Sequence, residues 1–553
     1  MKIAIAQINT KVGDIKGNAA KVKKYMSRAY REKVDLVIFP ELALSGYPPL
    51  DLMMNQDFIS ANLEELEKLA KATWHPACII GFIDLNPSAK GKPLLNSAAF
   101  LHKGKIVAKR SKTLLPTYDV FDESRFFEPS TKNQPVEFQR KKIAITVCED
   151  LLGEMEVYEK RKLYRVSLIK SFSKSRPDLI INISASPYWQ GKDAERKKIL
   201  SKTASKVSAP LIYVNSVGAN DEIIFDGNSF AVSSNGKIVF EAESFRENLV
   251  CFDLAELGRS KEETKSDKTA PESEIVEALT LGIRDFFIKQ GFSRAVVGIS
   301  GGIDSAVCAA IAARALGAEN VIGVLMPSKY TSKETKEDAE KLCHNLGIRK
   351  SIIPISAMHK VFDEALFGEK KKEISVPQQN IQARVRGNII MALANKNGWL
   401  PLAAGNKSEI AVGYSTLYGD TAGALAPISD VLKTQIYKIA AFLNRERELI
   451  PKTIITRPPT AELKPDQRDE DELGSYEILD KIIRQYVEEN KTAEDIIAGG
   501  IPRKTVYSVI KRIEGSEYKR KQIPLGLKIS KKSFGLGRRM PIVKDISFTF
   551  KKQ

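Results

Sequence analysis

Residues Gly298-Ile299-Ser300-Gly301-Gly302-Ile303-Asp304-Ser305 have types and spacing suited to one kind of chemistry. An apolar strand pattern, Ala295-Val296-Val297, precedes them, and a helical pattern from Ala306 to Leu316 follows. Glycines let a backbone approach an anion closely, and a helix N-terminus offers free N–H groups at the positive end of its dipole. The hydroxyls of Ser300 and Ser305 can donate to phosphate oxygens. Asp304 would repel a phosphate unless a cation lay between them, so the stretch implies Mg²⁺ beside a pyrophosphate. The Lys-Ser/Thr ending of a Walker loop is absent. A plain glycine turn between strand and helix would explain a lone Gly-Gly, but not the full six-residue pattern.

A second candidate lies in Thr146-Val147-Cys148-Glu149-Asp150, where a cysteine ends an apolar strand beside two carboxylates. Cys78, Cys251, Cys308 and Cys343 sit inside strand or helix patterns and read as buried small hydrophobes. A nucleophilic thiol needs a base. The four histidines, His75, His102, His344 and His359, fall in no evident motif, so carboxylates remain. Glu41, in Phe39-Pro40-Glu41-Leu42, is displayed at a strand's carboxyl end, and Lys112 stands beside the turn Leu114-Leu115-Pro116-Thr117-Tyr118. Each piece alone also fits a surface residue or a helix start.

Two blocks of elements must position these residues. From 1 to about 257, apolar strands fit 2–8, 34–40, 77–83, 96–101, 142–148, 178–184 and 210–215. Helices fit 17–32, 55–72, 155–173 and 192–207, and Ser233-Ser234-Asn235-Gly236 reads as a hairpin turn. A last strand covers 249–254. The polar stretch 258–270 has no apolar face to bury and reads as a linker. From 271 onward, helices fit 272–290, 303–316, 332–346, 378–397 and 431–444. Strands fit 295–300, 321–326, 351–355 and 400–404. Such alternation implies a doubly wound, mainly parallel sheet with its ligand at the strands' carboxyl ends. Residues 457–474 carry three prolines and dense charge, which suit neither a buried helix nor a buried strand.

Residues 1–257 resemble the carbon–nitrogen hydrolase (nitrilase) superfamily. The matching segments are Phe-Pro-Glu-Leu at 39–42, Lys-Thr-Leu-Leu-Pro-Thr-Tyr at 112–118, Phe-Asp-Glu-Ser-Arg-Phe-Phe at 121–127 and Val-Cys-Glu-Asp at 147–150. The resemblance implies an α-β-β-α sandwich and a Glu41-Lys112-Cys148 triad that hydrolyses an amide through a thioester. It also implies that Tyr118, Ser186 and Lys192 contact glutamine. That last position is often arginine in the family; a lysine offers a point charge rather than a planar fork.

Residues 275–540 resemble the NAD⁺ synthetases of the N-type ATP pyrophosphatases, a Rossmann-like fold. The resemblance rests on the Gly298–Ser305 loop, Pro377–Asn388, Gly405-Asn406-Lys407-Ser408-Glu409, Tyr414–Asp420 and Glu517–Gln522. It implies that ATP meets residues 298–305 and position 404, and that Asp304 and Glu409 hold Mg²⁺. Asn380, Glu409 and Lys519 would contact deamido-NAD⁺. The strand before Gly405 usually ends in hydroxyl residues; here Ala403 and Ala404 leave only backbone contacts. Together the two halves resemble glutamine-dependent NAD⁺ synthetases, which implies homo-oligomers passing ammonia between two sites; the five widely spaced cysteines, without a disulfide framework, suit the cytoplasm.

The whole chain, 553 residues with 43% hydrophobic and 28% charged, suits a soluble multidomain protein without a membrane span or signal peptide. The net charge of +18 permits nucleic-acid binding, but the lysines are scattered, which better suits attraction of polyanionic small molecules. Another ATP-pyrophosphatase amidotransferase, an RNA-modifying enzyme among them, and a non-catalytic binding protein are the alternative readings.

Overall fold

The computed structural model describes residues 1–131, 133–153, 162–259, 270–368, 374–460, 462–464, 467 and 469–550. The chain divides into two compact units, Met1–Lys268 and Thr269–Gln553. Most of the expected linker, 260–269, lies outside the described residues.

The first unit is an α-β-β-α sandwich of two six-stranded sheets. In the first sheet, Lys2–Gln7 pairs in parallel with Leu36–Ile38, which pairs in parallel with Ala77–Leu85. The second is centred on Lys141–Val147, Leu179–Ser184 and Leu211–Asn215, again in parallel. The period of two along Lys2–Gln7 explains the layering. Ile3 and Ile5 enter the core shared with Ile143 and Ile145 of the other sheet. Ala4 and Ala6 face outward into a core with Val22 and Ala29 of helix Ile15–Arg31 and Leu66 and Leu69 of helix Gln56–Ala72.

The second unit holds a six-stranded parallel sheet. In spatial order its strands are Arg349–Ile352, Val321–Leu325, Ala295–Gly298, Leu400–Leu402, Leu425–Ala426 and Leu525–Gly526. Numbered along the chain this order is 3-2-1-4-5-6, the doubly wound Rossmann arrangement, in which the chain reverses direction between Ala295–Gly298 and Leu400–Leu402. Ligands bind at the carboxyl ends of strands flanking such a reversal.

Several elements differ from the sequence reading. The strand expected at 351–355 is Arg349–Ile352, because Pro354 has no N–H for the ladder. The helix expected at 155–173 is Leu168–Ser175, begun at Ser167; residues 154–161 lie outside the described residues. Within 457–474, Asp469–Leu473 is a short helix whose first residue is buried. Its four acidic residues complement a helix N-terminus, and Tyr414 donates to Asp469 at 3.2 Å. Strands Lys105–Ser111, Val217–Asn220 and Ile223–Asp226 and helix Ser356–Phe367 went unread.

Candidate active sites

Cys148 ends strand Lys141–Val147 and directly precedes helix Glu149–Leu152, with φ +42° and ψ −100°. A non-glycine residue there is held by its surroundings. The Cys148 N–H donates to Ile183 O at 2.8 Å, and Asn182 Nδ2 donates to Cys148 O at 3.2 Å. Asp150 tightens the turn by accepting from Val147 N at 3.0 Å, Thr113 N at 2.8 Å and Leu114 N at 3.0 Å. That carboxylate therefore ties the Lys112 segment to the cysteine turn.

Glu41 follows strand Leu36–Ile38 on a loop pressed against the neighbouring strand at Gly81. A Cβ at Gly81 would lie 2.3 Å from Leu42 N and 2.6 Å from Pro40 O, so only glycine fits. Lys112 Nζ donates to Glu41 Oε1 at 2.8 Å and to Glu123 Oε1 at 2.7 Å, and all three side chains are buried. Asn96 Nδ2 donates to Glu41 at 2.7 Å, Ala185 N to Glu41 Oε2 at 2.8 Å, and Tyr47 OH to Glu123 at 2.9 Å. Glu123 lies in the Phe-Asp-Glu-Ser-Arg-Phe-Phe segment, which assigns it no role; the fold makes it the second partner of Lys112.

Burial, with the Glu41 charge adding to it, pushes the Cys148 thiol up, and Lys112 opposes both. Burial likewise disfavours the Lys112 ammonium, but Glu123 and Glu41 outweigh it and hold the group charged. Glu123 is pushed up to about 7 by burial against the pull of Lys112.

The expected glutamine contacts gather nearby. Tyr118 OH donates to Glu149 at 3.1 Å and Tyr164 OH donates to it at 2.9 Å. Lys192, buried at the start of helix Lys192–Val207, donates to Pro187 O at 2.8 Å, and its charge reaches Glu149. Ser186 is buried, with its N–H on Asn215 Oδ1 at 2.8 Å.

In the second unit, the 298–305 loop joins strand Ala295–Gly298 to helix Ile303–Leu316 at the sheet's reversal point. Gly301 has φ +83°, and an added Cβ would lie 2.5 Å from Thr335 Cγ2 and 2.7 Å from Thr335 O. The Ser300 and Ser305 hydroxyls, 3.1 Å apart, brace the loop, and Ser305 also donates to Gly302 O at 3.0 Å. No side chain caps the helix. Its first N–H groups therefore remain available to an anion.

The loop borders a cavity of about 380 Å³. Residues 298–305, Ala403, Ala404, Glu409, Thr416, Lys433 and Arg457 line it. Asp304 Oδ2 and Glu409 Oε1 accept from the same group, Lys433 Nζ, at 2.5 and 3.1 Å. Asn406 Nδ2 donates to Asp304 Oδ1 at 2.9 Å. Burial raises Glu409 to about 7 despite the Lys433 charge. Burial works against the Lys433 charge, but Asp304 and Glu409 outweigh it and raise its pKa. Lys433, inside an expected amphipathic helix, carried no sequence signal marking it as buried between two carboxylates.

Asn380 and Lys519 do not line this cavity. Instead they frame the loop beside it. Asn380 accepts from Thr416 Oγ1 at 2.8 Å, and Lys519 Nζ donates to Gly413 O at 2.7 Å and Ser415 O at 2.8 Å. Among the described residues, no cluster of three or more His, Cys, Asp and Glu side chains could hold a metal. Asp304 and Glu409 converge here on the Lys433 ammonium; Mg²⁺ takes one or two protein carboxylates and completes its shell with phosphate and water, a donor set these two side chains could begin. Among the described residues no helix is long and apolar enough to cross a membrane.

The carbon-nitrogen hydrolase family profile matches residues 2–260, and the NAD synthase profile matches 275–523. The glutamine-dependent NAD(+) synthetase of Synechocystis is 43% identical over 547 residues, covering 98% of each chain. That of Thermotoga maritima is 41% identical, again covering 98% of each. A solved glutamine-dependent NAD+ synthetase from Acinetobacter baumannii, in complex with adenosine diphosphate, superposes with TM-score 0.77 at 34% identity, over 98% of both chains. With both units matched in one chain and end-to-end relatives at this identity, the protein belongs to the glutamine-dependent NAD⁺ synthetases.

Proposed function

We propose that the chain hydrolyses glutamine at Cys148 and uses the ammonia to amidate deamido-NAD⁺ to NAD⁺, splitting ATP into AMP and pyrophosphate. The observation carrying this reading is a buried thiol–lysine–carboxylate cluster joined in one family member to a glycine loop at the reversal point of a doubly wound sheet.

In the first unit, Glu41 takes the thiol proton as sulfur attacks the glutamine carboxamide. Burial keeps the resting thiol protonated, so proton transfer accompanies attack. Lys112 and the Glu149 N–H stabilise the oxyanion. Ammonia leaves, and Glu41 activates the water that releases glutamate from the thioester. Glu123 keeps Lys112 placed between two carboxylates. Tyr118 and Tyr164 donate to Glu149 and orient it toward the substrate's ammonium, and Lys192 and Ser186 meet its carboxylate end.

In the second unit, residues 298–305 cradle the triphosphate, and Ala404 contributes backbone contacts alone. The nicotinate carboxylate attacks the α-phosphorus, pyrophosphate leaves, and ammonia then displaces AMP from the acyl adenylate. Asp304 and Glu409 would hold Mg²⁺, which when bound neutralises charge on the leaving pyrophosphate. Asn380, Glu409 and Lys519 place deamido-NAD⁺ along the 413–417 loop. A homo-oligomer accords with the exposed Val361, Leu366 and Val376, on helices packed against each other. The reduced thiol that the chemistry needs fits the cytoplasm.

Product analysis tests the reading. With ATP, deamido-NAD⁺ and glutamine, the expected products are NAD⁺, AMP, pyrophosphate and glutamate. ADP in place of AMP, or no NAD⁺, would overturn it.

A further inference from the structure

Asn406, Lys407 and Ser408 are consecutive polar residues, and all three are fully buried. Each reaches a different part of the second unit. Lys407 Nζ bonds Asp430 at 2.9 Å, Glu488 at 2.6 Å and Ser530 Oγ at 2.7 Å. Asp430 in turn accepts from Ile529 N at 2.8 Å and Ser530 N at 2.7 Å, which fastens the chain that follows strand Leu525–Gly526. Ser408 Oγ accepts from Lys433 N at 2.8 Å and donates to Asp480, which also accepts from Thr434 N at 2.9 Å. That fastens the first turn of helix Lys433–Leu443, from which the Lys433 ammonium reaches Asp304 and Glu409. The turn that carries Asn406 is thus anchored through both of its neighbours.

Asn406 uses its single carboxamide twice. Oδ1 accepts from Glu409 N at 3.0 Å and so caps helix Lys407–Val412. Nδ2 donates to Asp304 Oδ1 at 2.9 Å, across 102 residues of chain. The other oxygen of Asp304, Oδ2, is the one that meets Lys433. One planar group therefore ties the 298–305 loop to the helix that presents Glu409, and sets how the two carboxylates stand to each other. An amide donates to a carboxylate without neutralising it, so Asn406 holds Asp304 in place and leaves its charge for a cation.

We infer that Asn406 is a positioning residue of the ATP site: it holds Asp304 by Oδ1, so that Oδ2 and the Glu409 carboxylate face a common cation at a fixed spacing. Mg²⁺ demands near-ideal octahedral geometry, and carboxylates set in advance remove an ordering cost from its binding. The role is therefore in affinity for the metal and its nucleotide, not in the bonds that change. The inference rests on the reading that Asp304 and Glu409 hold Mg²⁺.

The test compares Asn406→Ser, Asn406→Ala, Asp304→Ala and the Asn406→Ser/Asp304→Ala double variant in the full-length enzyme. Serine still caps a helix but is too short to reach Asp304 as well; alanine does neither. Electron paramagnetic resonance reads Mn²⁺ binding in the presence of α,β-methylene-ATP, which cannot be split between its α- and β-phosphates. Ammonium-driven NAD⁺ synthesis against Mg²⁺ concentration, and thermal melting, run in parallel. Asn406→Ser should weaken Mn²⁺ binding about 10-fold, the scale of one hydrogen bond to a charged group. Half-saturating Mg²⁺ should rise by about the same factor, with kcat at saturating Mg²⁺ within about threefold. Asn406→Ala should give the same shift and, having lost the cap too, melt roughly 2–4 °C lower than Asn406→Ser. In Mn²⁺ binding the double variant should add nothing beyond Asp304→Ala, because Asn406 acts through that carboxylate. Mn²⁺ binding unmoved by Asn406→Ser while Asp304→Ala weakens it would overturn the inference, as would a shift confined to Asn406→Ala or strictly additive effects. Mn²⁺ binding unmoved by Asp304→Ala would instead overturn the metal reading of Asp304.

Discussion

Replacing Lys112 by methionine removes the ammonium bonded to both Glu41 and Glu123, at 2.8 and 2.7 Å. All three side chains are essentially inaccessible to water, so no solvent replaces the lost partner. Deleting one member of a buried ion pair costs about 3–5 kcal/mol. At about 2–4 °C per kcal/mol for a unit of this size, the melting temperature should fall by roughly 10 °C. Loss of an oxyanion donor should separately lower glutamate release about 100- to 1000-fold. The pH dependence discriminates further. Burial, against the pull of Lys112, already sets Glu123 at about 7, above the ordinary 4.5. Without Lys112 it moves higher still. A carboxyl raised on folding contributes stability below its unfolded value and loses it as pH rises through the folded one. The deficit relative to the parent should therefore be smaller at pH 6 than at pH 8.5. Glutamate release and thermal melts at both pH values supply the assay. Release within tenfold of the parent, or an equal deficit at both pH values, would refute the reasoning.

Asp304→Ala should abolish NAD⁺ synthesis from glutamine and from ammonium alike, since adenylylation precedes both; ammonium-driven synthesis near the parent level would remove Asp304 from the ATP site. Within 457–474, residues 457–460, 462 and 463 border the cavity, and the stretch is clasped to helix Lys333–Leu346 by Arg457 donating to Thr335 and Thr335 donating to Glu462, each at 2.8 Å. Limited proteolysis within this stretch should slow when ATP and deamido-NAD⁺ are both added, as expected of a segment that shields an adenylate from water; equal cleavage with and without them would leave it a plain surface loop.

The local motifs were legible because their chemistry is written in consecutive residues. Gly298–Ser305 needs only its neighbouring strand and helix, and helices Ile303–Leu316 and Lys192–Val207 fall where the apolar period places them. Partnerships across long separations were not legible from the residues themselves; the resemblance to the carbon–nitrogen hydrolases alone grouped Glu41 with Lys112. Glu41 and Lys112 are 71 residues apart, and Lys433 is 129 residues from Asp304, so no window of sequence contains either contact. Lys112, Lys407 and Lys433 are all buried, though lysine on a helix or turn ordinarily reads as solvent-facing. Strand Lys105–Ser111 was hidden by its basic residues, which half-cover a sheet edge. The hairpin Val217–Asn220 with Ile223–Asp226 turns on Asp221 at φ +52°, a position glycine would have advertised.

The central claim is that one chain holds two separable reactions joined by ammonia. Cys148→Ala removes the thiol and little else: the side chain is buried and its backbone bonds to Ile183 and Asn182 persist. NAD⁺ formation by this variant, measured with glutamine and then with ammonium as nitrogen source, tests the claim most directly. The account predicts no synthesis from glutamine and near-parental synthesis from ammonium. Glutamine-driven synthesis that survives the substitution would contradict it.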